Sequence, residues 1–356
     1  MARRSLRSPV TVRRLAPRTA GAAIAGAVVV LAVLASLAIG ARAIDPLTLV
    51  DVILASAFEG AVLDATGLGA AEVDAIVIVE LRIPRTLIGL AAGAALGLAG
   101  AVMQGVTRNP IADPGLLGVN AGASFAVVVA ISMLGVVSPL GIATGALLGA
   151  LLASVLIAIV AASTRSLTTP AVLVVAGAAV TAGLTSLTTL VLLSDPAALD
   201  RYRFWTVGSL TGRDLELATA LLPLLLLGGI LAALLARPLD ALALGDDVAR
   251  GLGFRLRSTR GLALASIVLL CGTATALAGP LVFVGLLAAH AARALVGTRH
   301  GILLPTSALV GAAALLVADS LGRVVAPPAE IEVGIVIAVL GAPLLIGLVR
   351  SAREAV

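Results

Sequence analysis

The sequence predicts an all-α polytopic membrane protein with about ten transmembrane helices, and three observations carry that prediction. Of 356 residues, 60% are hydrophobic and 12% are charged, with a mean hydropathy of +1.16. A soluble domain carries roughly 25% charged residues. Uncharged segments long enough to cross a bilayer recur along the chain. In the stretch from Leu81 to Gly122, Gly89, Gly93 and Gly97 repeat every four residues and Gly100 follows. That spacing puts the first three on one helix face, where bare backbone can approach another helix. In water such glycine density would weaken a helix.

Taken in order, the chain opens with six arginines in residues 1–18, read as a basic N-terminal tail. An apolar run at about 19–40 follows. It is longer than the roughly 7–15-residue core of a signal peptide, so it reads as a retained first span of a single membrane domain, 19–356. Residues 41–82 form a polar loop in which 47–58 is a candidate surface helix. Nine further spans fall at about 84–106, 115–137, 139–162, 170–193, 215–236, 260–279, 281–297, 303–325 and 333–349. The eighth is short and carries His290 and Arg293. Proline and charge mark sharp boundaries at Arg108–Pro114, Arg237-Pro238 and Pro327-Pro328. With the N-terminus inside, only Arg42, Arg82, Arg85, Arg201, Arg203, Arg213 and Arg323 lie outside, leaving 17 of the 24 arginines inside. The positive-inside rule therefore places both termini and the loop 237–260 in the cytoplasm.

Composition also excludes function classes. Every basic residue is arginine, so a Walker A loop, which needs its lysine on the phosphates, is absent. The arginines punctuate apolar runs rather than forming a soluble basic patch, which argues against nucleic acid. Two histidines and one cysteine exclude a multi-histidine metal site, and no catalytic constellation or cofactor motif stands out. The span centres read as free of ionisable groups, whereas ion-coupled secondary transporters need one there.

Several motifs resemble the FecCD-type permeases, the membrane subunits of ABC importers for iron–siderophore complexes, a family that includes the cobalamin permease. They are LRIPR at 81–85, GAVMQG at 100–105, TRNPIADPGLLGVNAGA at 107–123, FVGLLAAHAARALVG at 283–297, ADSLGR at 318–323 and GAPLLIGLV at 341–349. The resemblance implies a type II ABC importer permease fold in the cell membrane of a prokaryote, with spans two to five and seven to ten related as an inverted repeat. It implies a second permease subunit, identical or closely related, two cytoplasmic ATPases that use the ATP, and an extracytoplasmic binding protein. The cargo implied is a ferric siderophore, with heme or cobalamin as the alternative. An ion-coupled secondary transporter is the less favoured class.

Some residue roles follow the same resemblance, and others follow from residue type and spacing. Loop 237–260 resembles the segment that docks into the ATPase. Its charge pattern suggests two short helices broken at Gly245, with Leu244, Gly245, Asp246, Asp247, Arg250 and Gly251 at the contact. Thr181, Thr185 and Thr188 share one face of the fifth span and are candidates to line the translocation path; by spacing alone their hydroxyls would bond their own helix. Gln104 and Asn120 are placed to tie spans two and three together. Asp319 and Arg323, four residues apart, suit an ion pair. Arg82, Arg85 and Arg323 are the arginines expected to meet binding-protein carboxylates.

Overall fold

The computed structural model describes residues 18–40, 44, 48–52, 70–163, 170–213, 215–327 and 329–354. The basic tail 1–17, most of the candidate surface helix at 47–58, and the loop 164–169 lie outside the described residues. Helix α1 is Arg18–Ala38. Helix α2 (Ala70–Ile76) runs through a π turn, Val77–Arg82, into α3 (Ile83–Thr107). Then come α4 (Val119–Ser132), α5 (Pro139–Ser163), α6 (Pro170–Ser194), α7 (Pro196–Thr206) and α8 (Leu215–Leu234). Two short helices, α9 (Ala236–Ala243) and α10 (Asp246–Gly251), lead into α11 (Leu256–Ala278), α12 (Val284–Val296), α13 (His300–Val325) and α14 (Val333–Glu354). Among the described residues seven helices are long and apolar enough to cross a membrane, and three shorter apolar helices, α4, α12 and 333–347 of α14, complete the set. These ten stand where the ten apolar segments are predicted.

The π turn has a local cause. Pro84, near the start of α3, has no backbone N–H to donate into the preceding turn. The ladder widens there, and Ile83 N–H bonds the carbonyl of Ile78, five residues back.

The third span departs from the expected 115–137. Arg108 adopts a left-handed conformation at the end of α3 (φ 53°), and the chain turns back through a 3-10 turn, Pro114–Leu117, whose cap is the Asp113 carboxylate accepting from Gly115 N–H. Pro114 packs near Gly285, which lies roughly 17 Å along α12 from Val296 at helical rise. The turn therefore re-enters the helical layer, and α4 needs only 14 residues to finish the crossing. This corrects the reading of charge-free span centres, because Asp113 lies at that depth, holding the turn.

The inverted repeat expected from the resemblance is visible in lengths and caps. Helices α3 to α6 hold 25, 14, 25 and 25 residues, and α11 to α14 hold 23, 13, 26 and 22. The short second member of each half starts from a left-handed residue, Gly118 and Phe283, both at φ 66°. Leu210, whose neighbour Ser209 bonds the carbonyl ending α11, packs on Gly89 near the start of α3, so the first members of the two halves run antiparallel.

Helix α3 occupies the centre, packed against α13, α11 and α12. Its glycines make backbone-to-backbone contact there. A Cβ added at Gly93 would lie 2.5 Å from the Gly311 carbonyl oxygen of α13. Added Cβ atoms at Gly97 and Gly100 would overlap the carbonyls of Ser307 and Gly285, and one at Gly89 would strike Leu316. Lipid tails are as apolar as the helix surfaces, so association rests on van der Waals packing at such small residues. Helix α7 was not anticipated, although Asp195 capping Ala197 and Ala198 N–H with Pro196 at the first helical position is a recognisable helix start.

A side chain at the seam has no room. Gly97→Val is expected to destabilise the protein by about 1–3 kcal/mol, the usual cost of overpacking, read as a lower melting temperature in detergent. Gly229→Val, where an added Cβ meets nothing within 4 Å, should leave it unchanged.

Candidate functional site

Two polar constellations occupy opposite ends of the bundle. The first surrounds the end of α1. The last four carbonyls of a helix have no partner within it, and here arginines from other helices supply the donors. Arg82 Nη1 donates to Leu37 O (2.7 Å) and Ala38 O (2.9 Å). Arg323 Nη1 donates to Ser36 O (2.8 Å) and Ile39 O (2.9 Å), and its Nη2 to Ser36 Oγ (2.8 Å). Ser36 Oγ lies 2.8 Å from Thr86 Oγ1. A cation at a helix C-terminus also meets the negative end of its dipole.

Asp319 joins this clamp to α3. Its carboxylate, 1% exposed, accepts from Arg323 Nε and Nη2 on its own helix. It also accepts from Arg85 through Nε (3.0 Å) and Nη2 (2.8 Å), while Arg85 Nη1 reaches Glu330 at 2.7 Å. The expected Asp319–Arg323 pair is present. The outward presentation expected of Arg82 and Arg323 is not: they are 5% and 3% exposed, because the carbonyls of α1 draw them inward.

Above this clamp opens a cavity of about 390 Å³, lined in part by Glu80, Arg82, Arg85, Arg213, Arg323 and Glu330. Arg213, which the sequence reading did not single out, has its buried Nε without a hydrogen-bond partner among the described residues. Burial pushes its guanidinium below the usual range, and the nearby Glu332 carboxylate opposes that shift.

The second constellation is the α9–α10 segment. Leu239, Ala241 and Leu242 of α9 are buried, while Leu244, Val248 and Leu252 are 66%, 47% and 60% exposed. Gly245 joins the two helices at φ 109°, ψ 156°, a region essentially restricted to glycine. The exposed edge of α10 carries Asp247 and Arg250, paired at 2.6 Å, and the exposed Gly251. Asp246, expected at the same contact surface, is turned inward instead. Its Oδ2 accepts from Arg260 at the start of α11 (2.8 Å), and its Oδ1 lies 3.3 Å from Arg108 at the end of α3. Asp240 on α9 accepts through Oδ1 from His300 N (2.8 Å) and contacts His300 Nδ1 (2.7 Å) at the first residue of α13.

The remaining polar residues divide as follows. Thr188 is buried and donates to Leu184 O; Thr181 is half-buried and Thr185 exposed. Ser186 and Thr189 likewise bond their own helix four residues back. Gln104 and Asn120 do not tie spans two and three. Gln104 accepts from Arg293 on α12, and Asn120 from Thr275 on α11, because the re-entrant turn separates the two amides in depth.

Residues 28–351 match the FecCD transport family. The chain is 47% identical over 273 residues to the ferric enterobactin transport system permease protein of Escherichia coli (strain K12), covering 77% of this chain and 81% of that one. It is 40% identical to the Fe(3+) dicitrate transport system permease protein of the same organism, over 78% and 86%. It is 36% identical to a cobalamin import system permease protein of Halobacterium salinarum, over 76% and 72%. A metal-chelate type ABC transporter solved in an inward-facing conformation superposes with a TM-score of 0.77 at 27% identity, covering 93% of this chain and 98% of that one.

The arginine clamp makes a stability prediction. Arg323→Ala leaves Asp319 with one cation and strips three acceptors at the end of α1, Ser36 O, Ser36 Oγ and the adjoining Ile39 O. Breaking a buried pair costs about 3–5 kcal/mol, so a marked fall in melting temperature in detergent is expected. Arg323→Lys should recover only part, since one ammonium lacks the planar fork that reaches several acceptors. An unchanged melting temperature in Arg323→Ala would remove the clamp from the stability of the fold.

Proposed function

This chain belongs to the FecCD transport family, and from that premise we propose that it is the permease of an ATP-driven importer carrying a ferric siderophore. Members of the family are membrane-embedded permease subunits rather than enzymes, and this chain has no Walker lysine. A separate ATPase pair therefore supplies the energy. The observation that carries the cargo assignment is the similarity to the ferric enterobactin and ferric dicitrate permeases over three quarters of the chain. Heme or cobalamin uptake is the alternative.

The arginine distribution favours an orientation with the Arg82–Arg323 cluster outside and α9–α10 in the cytoplasm. Three exposed apolar side chains, Leu244, Val248 and Leu252, on an aqueous face suit burial against the ATPase, with Asp247, Arg250 and Gly251 at the rim. Asp246 would hold α10 to the spans beneath. Outside, the binding protein would dock over the arginine-lined cavity. Arg85 and Arg213 would offer charge there, while Arg82 and Arg323 fix the floor. Helix α6 is the least covered of the long helices, and its open face would meet the second permease subunit, with Thr181 and Thr185 beside the path.

Reconstituted with its ATPase and binding protein, the wild-type complex is expected to take up a radiolabelled ferric siderophore only with ATP, whether or not ion gradients persist. Uptake of cobalamin or heme but not the ferric chelate would replace the cargo. Uptake driven by an ion gradient without ATP would replace the mechanism.

Gly245→Val tests the contact segment. An added Cβ there meets nothing within 4 Å, so the penalty is backbone strain of about 1–3 kcal/mol confined to the α9–α10 joint. Uptake should be lost while the permease remains inserted, and wild-type uptake would exclude the segment from coupling.

A single cysteine at Ser258, introduced after Cys271 is replaced, should resist an impermeant thiol reagent added outside. Labelling from outside would reverse the topology.

A further inference from the structure

We propose that Asp240 is a positioning residue that transmits movement of the α9–α10 segment into α13, a role that rests on the ATP-driven reading above. The first N–H groups of a helix need acceptors from outside it. Helix α13 does not obtain its acceptor from its own flank, since Arg299, the residue before it, makes no side-chain cap. The acceptor comes from another helix: Asp240 Oδ1 takes the His300 backbone N–H at 2.8 Å and meets the imidazole Nδ1 at 2.7 Å. A serine or aspartate in place of Arg299 would cap the helix through its second or third N–H and leave α9 free of α13. The structure uses the arrangement that binds them together.

His300 is wedged on its far side too. It is 5% exposed, and an added Cβ at Gly105 of α3 would lie 2.7 Å from its Nε2. The imidazole thus fills a three-way junction of α9, α13 and α3. From that junction α13 runs 26 residues, about 39 Å at helical rise, and carries Asp319 and Arg323 near its other end. Gly93 and Gly97 seat α3 backbone against α13 along the way, so at those two turns no side chain lies between the two helices. A displacement of α9 is therefore delivered, through this carboxylate and the packing around it, to the helix that carries the arginine cluster.

The test uses the complete complex with ATPase and binding protein in proteoliposomes, measuring ATP hydrolysis and ferric siderophore uptake on the same preparation. Asp240→Ala is expected to hydrolyse ATP while its uptake per ATP falls by about tenfold or more, as for loss of a charge-assisted hydrogen bond. Asp240→Asn, whose amide oxygen accepts from the same two groups, should keep a ratio near wild type. If Asp240→Ala merely reduces the amount of assembled complex and the remainder transports at the wild-type ratio, the role is structural and the proposal fails. Equal uncoupling by Asp240→Asn also overturns it. Should Asp240→Ala not assemble, His300→Ala keeps the backbone bond and removes the ring, with its contacts to Asp240 and to Gly105 of α3. A partial loss in uptake per ATP is then expected, and an unchanged ratio refutes the joint. A wild-type complex with no ATP-dependent uptake would instead fault the family-based reading.

Discussion

The rest of this structure depends on the contact of α3 with α13 through bare backbone. Gly93, Gly97 and Gly311 remove the side chains that would hold the two helices apart. In a lipid surrounding, burying apolar area brings no gain over contact with acyl chains, so close packing has to supply the association. With α3 seated, α11 and α12 pack on its remaining faces, and Gly285 of α12 meets Gly100 without intervening side chains. The two halves therefore meet along a seam of small residues shared by α3, α12 and α13.

Polar groups at the two ends are handled by charges from outside each helix. The end of α1 is closed by Arg82 and Arg323, which come from the π turn before α3 and from α13. At the opposite end, Asp240 closes the start of α13, and Asp246 holds α10 to Arg260 and Arg108. A helix terminus inside a bundle leaves donors and acceptors that water cannot reach, and leaving them unpaired costs more than the pairing gains. That asymmetry explains why Arg82, Arg85, Arg323 and Asp319, the buried and half-buried charges at the cluster, are all bonded.

The re-entrant turn before α4 and the Phe283 turn before α12 do the same work in the two halves. Each shortens the second helix and places an irregular segment within the helical layer. Backbone away from a regular helix is tolerated at membrane depth only where protein covers it. Asp113 capping Gly115 on one side, and Phe283 packed against Gly341 on the other, meet that condition by different means. One half uses a carboxylate and glycine; the other uses a bulky left-handed residue. That chemical difference hid the repeat in the sequence.

Much of the fold was legible in residue order alone, because lipid imposes a local rule: a span must be long, apolar and internally bonded. Ten segments, the breaks at Arg108–Pro114 and Pro327-Pro328, the two short helices around Gly245 and the Asp319–Arg323 pair all follow from nearest neighbours along the chain. The family was legible too, through motifs such as LRIPR and ADSLGR. What residue order did not contain was direction. Arg82 and Arg323 look like surface charges until the carbonyls of α1, more than forty residues away along the chain, are brought beside them. Asp246 looks like the twin of Asp247 until Arg260 and Arg108 turn it inward. Asp240 has no neighbour along the chain that points to His300. A charge goes where its counter-charges and orphaned backbone groups are, and only the packing of distant helices decides where those lie.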